Sequence, residues 1–159
     1  MSKTDMVRAY AETLLKEVLG VETLKQDPDG DYPVRYESAL YYVRIHPGTG
    51  DDPVVQVFAV ALADVEPSPD LFARVNAINA DLRFARAFWV KNQVLFESEM
   101  VGLELSLAGF EKACRTVGGA ADYFGTKLSE EFGGRTAFAE EQDPGYEPPR
   151  NPPAPGLYL

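Results

Sequence analysis

The segment Val54–Ala63 is apolar on both of its alternating sets: Val55, Val57, Ala59 and Ala61 on one, Val54, Phe58, Val60 and Leu62 on the other. A strand with one wet face shows a single apolar set, so this pattern predicts a central strand covered on both sides. Its continuous apolar run, Val57–Ala63, is far shorter than the roughly 20 residues needed to cross a bilayer. The chain must therefore build a sheet around this segment.

The flanking residues supply the neighbours. Tyr32, Val34 and Tyr36 alternate with Pro33 and Arg35, and Ala39–Ile45 is rich in Tyr, Val and Ile. Asp27-Pro28-Asp29-Gly30-Asp31 and Pro47-Gly48-Thr49-Gly50-Asp51-Asp52-Pro53 have the chemistry of turns and loops. Together these predict a three-stranded antiparallel meander. Further on, Arg86–Val90 and Val94–Glu99 read as a hairpin around Lys91-Asn92-Gln93.

Three stretches have helical period. Met6, Tyr10, Leu14 and Val18 recur by fours, which predicts a helix over Thr4–Leu19 stopped by Gly20. Ser68-Pro69-Asp70 is a helix opening: a capping hydroxyl, a proline suited to the first turn, and a carboxylate at the positive end. The third stripe is the strongest, from Leu107 and Phe110 through Cys114, Val117, Ala121 and Phe124 to Leu128 and Phe132, with Ser106 as cap. Gly118-Gly119 interrupts it and marks a kink or a close approach to a neighbour.

The element order is α-β-β-β-α-β-β-α, an α+β domain with a five-stranded antiparallel sheet packed with helices. It occupies residues 1–134. Residues 135–159 form an acidic tail holding six of the 12 prolines, expected to be extended or disordered. Its tip, Gly156-Leu157-Tyr158-Leu159, is apolar enough to lie in a groove.

Charge and residue counts exclude several functions. Fifteen Lys and Arg against 25 Asp and Glu give a net charge of −10, the wrong sign for nucleic acid or for anionic membrane. One Cys and one His exclude a disulfide and the usual zinc centres. The polar opening residues carry no signal-peptide pattern, so a cytoplasmic protein is expected. Cys114 lies in the apolar stripe and reads as a buried structural thiol, and His46 as a strand-end surface residue. Asp27, Asp29 and Asp31 imitate the start of a calcium loop, but Tyr32 and Ser38 stand where Gly and Glu are needed, so no metal is expected there. No cofactor motif is present.

The helix Leu71-Phe72-Ala73-Arg74-Val75-Asn76-Ala77-Ile78-Asn79, the hairpin Phe88-Trp89-Val90-Lys91-Asn92-Gln93-Val94-Leu95-Phe96 and the helix closing in Phe132-Gly133-Gly134, in this element order, resemble the YbjN family, which shares the fold of the type III secretion chaperones. The resemblance covers about residues 4 to 134. It implies a non-enzymatic protein- or peptide-binding module, and a homodimer. Asn79 shares a face with Val75 and Leu82, so its amide, once buried, needs backbone partners, for example on the following loop, a structural role rather than ligand binding. Aromatic residues crowd the strands, and three helices need not cover both sheet faces. The uncovered remainder is the expected partner surface, with Tyr36, Tyr42, Phe58 and Trp89 as its candidate residues. The competing assignments are a small assembly or regulatory subunit and an acid–base enzyme using Asp or Glu.

Overall fold

The computed structural model describes residues 1–137 and 148–152. The element order is α1 (Lys3–Leu19), β1 (Tyr32–Tyr36), β2 (Ala39–His46), β3 (Val54–Leu62), α2 (Pro69–Asp81), β4 (Arg86–Val90), β5 (Gln93–Val101) and α3 (Leu107–Phe132), with a short 3-10 turn at Gly102–Glu104. The five strands form one antiparallel sheet in the order β1-β2-β3-β5-β4, so β3 is the middle strand, as its double apolar pattern requires. Three serines start the helices. Ser2 forms a reciprocal capping box with Asp5, Ser68 accepts from Leu71 N–H, and Ser106 accepts from Gly109 N–H.

The register settles which side chains share a face. Tyr36 pairs with Ala39 across the first turn, and Tyr41, Ala59, Phe96 and Ala87 lie opposite one another across four strands. All of these are buried. α3 lies across this face along β3, and α1 and α2 flank it. Tyr32 on β1 bonds Glu12 of α1, while Phe72 of α2 meets Trp89 of β4 edge to face at 5.8 Å. Arg74 of α2 pairs with Glu131 of α3. All three helices therefore sit on one side of the sheet.

α3 comes close because it carries glycine where it crosses strands. A Cβ on Gly118 would lie 2.8 Å from Cγ of Tyr36, and one on Gly125 would lie 3.0 Å from the carbonyl oxygen of Ala61. The Gly118-Gly119-Ala120-Ala121 stretch is thus buried against this chain's own sheet and offers no close-approach surface to a second copy.

Beyond α3, Arg135 exchanges two backbone hydrogen bonds with Ala63, each 2.8 Å. Residues 148–152 run beside β1, with Arg150 bridged in parallel to Arg35. The apolar tip Gly156–Leu159 lies outside the described residues.

Candidate functional site

The second face of the sheet differs from the first. Among the described residues no helix lies over it. The set that alternates with the buried one is half-buried along β2 and β3: Leu40, Tyr42, Arg44 and His46 on β2, and Val54, Gln56, Phe58 and Val60 on β3. The double apolar pattern of Val54–Leu62 therefore has a different cause on each side. Val55, Val57, Ala59 and Ala61 meet helices, whereas among the described residues Val54, Phe58 and Val60 are half-buried by neighbouring side chains and not by a helix. The expectation of cover on both sides is corrected accordingly.

At the centre of this face Tyr42 and Phe58 stack, with ring centroids 5.2 Å apart and planes at 19°. The Arg44 guanidinium sits 4.7 Å over the Phe58 ring, close enough for a cation–π contact. Arg44 is held there by a two-pronged bond to Asp31, which is 2% exposed. Burial, followed by the nearby carboxylates of Asp27, Asp31 and Asp29, pushes the Tyr42 hydroxyl above the ordinary tyrosine range, so it stays a neutral donor at pH 7. Toward β4 a polar chain crosses the face. His46 Nε2 lies 2.7 Å from Gln56 Oε1, Gln56 Nε2 donates to Glu97 at 2.9 Å, and Arg86 Nε donates to the other Glu97 oxygen at 3.1 Å. Glu97 is 4% exposed and would be costly there without these donors. Arg86 also lies 5.1 Å over the Phe88 ring. The face thus offers flat aromatic surface ringed by oriented charges, a composition that binds polypeptide through apolar contact and fixes its register through polar contact.

Of the four aromatic residues assigned to a partner surface, only Tyr42 and Phe58 come together here. Tyr36 is fully buried on the other face, its ring against Gly118. Trp89 pairs with Val94, so it also points to the helix side, where its Nε1 donates to Val65 O at 2.9 Å. Both lie on strands as expected, but on the helix-covered face, so they do not join Tyr42 and Phe58. Arg44, Gln56 and Glu97 were not singled out in the sequence. A polar residue within an otherwise apolar strand, as Gln56 is, was the available signal.

The remaining candidates have structural partners. Cys114 is buried beside Tyr41, and desolvation pushes its thiol up to about 12, far from a reactive thiolate. Asp27, Asp29 and Asp31 bring carboxylate oxygens within 4.8 Å of one another. However, Asp27 Oδ1 accepts from the N–H groups of Asp29 and Asp31, and Asp31 is committed to Arg44. Asn79 closes the outer edge of β4: its Nδ2 donates to Ala87 O at 2.8 Å and its Oδ1 accepts from Ala87 N–H at 2.7 Å. The backbone partner expected for this amide is thus a strand edge.

A family model described as type III secretion (YopN, CesT) and YbjN peptide-binding chaperone 1 matches residues 5–140. Among solved structures, a chain of the crystal structure of the ExsC-ExsE complex superposes with a TM-score of 0.60 at 14% identity, covering 80% of this chain and 97% of that one. No curated protein matches by sequence. Among the described residues no helix is long and apolar enough to cross a membrane.

Proposed function

This chain belongs to the family of type III secretion and YbjN peptide-binding chaperones, and we propose that it holds an extended segment of a protein partner on the open face of its sheet, against Tyr42 and Phe58. The observation that supports this placement is the stacked aromatic pair on a face over which, among the described residues, no helix lies. A chain of the ExsC-ExsE complex shares this fold, which supports a polypeptide partner. The binding domain is residues 1–134, with residues 135–159 as an appended arm. The protein acts by binding rather than by turnover: its thiol is buried and protonated, and His46 is engaged by Gln56. A free buried cysteine suits the cytoplasm.

The test is to select peptides from a displayed random library on the full chain, then measure their affinity for Phe58→Ser and Tyr42→Ser. Removing a central aromatic contact should cost about 2 kcal/mol, roughly thirtyfold in Kd. Phe72→Ser, on the helix side, should leave affinity unchanged. Equal affinity for all four proteins would refute the placement. An assembly role is the second reading, because the same face could join two copies about a two-fold axis. Light scattering at twice 17.5 kDa, returning to 17.5 kDa in Phe58→Ser, would favour it.

A further inference from the structure

The β1 edge of the sheet is closed by the chain's own C-terminal arm. Arg35 N–H donates to Pro149 O at 2.9 Å, and Asn151 N–H donates to Arg35 O at 2.8 Å, the pattern of a parallel strand pair. The Asn151 side chain turns inward and is 2% exposed, and its Oδ1 accepts from the Tyr41 hydroxyl at 2.8 Å. Arg150, between the two bonded positions, points out and is exposed. Prolines precede and follow: Pro148 and Pro149 on one side, Pro152 on the other. A residue before proline is held extended, so the segment reaches the edge already close to its bound shape.

From this we infer that Pro149–Asn151 is a tethered ligand, and that the β1 edge is a binding site for an extended peptide that places one carboxamide side chain against Tyr41. Among the described residues the attachment rests on two main-chain bonds and one buried amide. Belonging to the same chain makes its binding intramolecular, which strengthens it over that of the same segment as a free peptide. An incoming strand with the same features displaces it. The inference rests on the peptide-binding reading only for what arrives from outside; occupation of the edge by the arm is independent of the open face.

The register supplies the test, because it says which N–H is used. Asn151→Pro in the full chain removes both the donor to Arg35 O and the amide facing Tyr41. Arg150→Pro removes an N–H that has no β1 partner in this register. Hydrogen exchange at the Arg35 amide reads occupation of the edge. We expect slow exchange in the parent and in Arg150→Pro, and exchange at least about tenfold faster in Asn151→Pro, the size of one lost net hydrogen bond. A synthetic peptide with the sequence of residues 146–153 should then protect Arg35 in Asn151→Pro. The same peptide with alanine in place of the asparagine should not, and the parent should bind the first peptide at least about tenfold more weakly than Asn151→Pro does. Equal exchange at Arg35 in all three proteins would overturn the inference, as would peptide binding that leaves Arg35 unprotected. Loss of the cooperative melt in Asn151→Pro would also overturn it, since the segment would then be part of the core. So would protection of Arg35 in the parent that disappears on dilution, which would make the arm a second copy's. Any of these results leaves the open-face reading intact, and loss of peptide binding in Phe58→Ser leaves the tethered arm intact.

Discussion

Gly118→Ala sets two known effects against each other. Alanine is the better helix former by about 1 kcal/mol, so on an exposed helix the change stabilises. At this position the added Cβ would sit 2.8 Å from Cγ, 2.9 Å from Cβ and 3.0 Å from Cδ2 of Tyr36. These atoms are the root of the side chain, not its mobile end, and Tyr36 is 0% exposed, so the ring has nowhere to retreat. Overpacking of this kind costs about 1–3 kcal/mol, and three contacts this short put it near the upper value. The net loss is about 2 kcal/mol, or a fall in Tm of roughly 4–8 °C for a chain of this length. Urea denaturation should show a lower midpoint at unchanged slope. In a Tyr36→Ala background two of the three crowded atoms are gone and the remaining Cβ has room to shift into the vacated space, so Gly118→Ala should cost clearly less than in the parent. A Gly118→Ala protein that melts at or above the parent would refute the close packing of α3 on β1.

Asn79→Ala leaves Ala87 N–H and C=O at the β4 edge without their partner and should destabilise by about 1–3 kcal/mol in urea titrations. Native Cys114 should resist a thiol reagent at pH 8 and react fully only after denaturation. Its folded pKa, about 12, lies above the ordinary 9.0, so the folded state holds the proton more tightly. The contribution to stability is complete below pH 9 and is lost as pH rises from 9 toward 12. In Cys114→Ala the alkaline loss should begin about one unit later, where the unfolded tyrosines start to titrate, because burial also raises Tyr41 from its ordinary 10.0.

Much of the fold was legible because local chemistry and tertiary packing agree. Ser2, Ser68 and Ser106 start helices by capping, and the double apolar pattern of Val54–Leu62 does mark the middle strand. The aromatic face of the sheet was legible only in part. Alternation says that neighbours in a strand face opposite ways, but not which way the helices lie. For Tyr36 and Trp89 the missing fact was register. The first turn pairs Tyr36 with Ala39, and the second, through Lys91 and Asn92 at φ 49 and 59, pairs Val90 with Gln93 and hence Trp89 with Val94. Each pairing commits the ring to the helix side. Asn151 had no local signal at all: a single amide among prolines acquires its meaning from Tyr41, 110 residues earlier.

The two margins of the sheet are closed by unlike means. At β4 a side-chain amide imitates a peptide group at Ala87, held there by a helix that is part of the core. At β1 the cover is a strand on a tether. The β1 margin is therefore the readier of the two to exchange its cover for another strand. If two copies ever join strand to strand, each contributes its β1 margin, and the joined sheet of ten strands ends in β4 on both sides. A protein that handles extended polypeptide is exposed to runaway strand addition, and unlike covers on its two margins weigh against it.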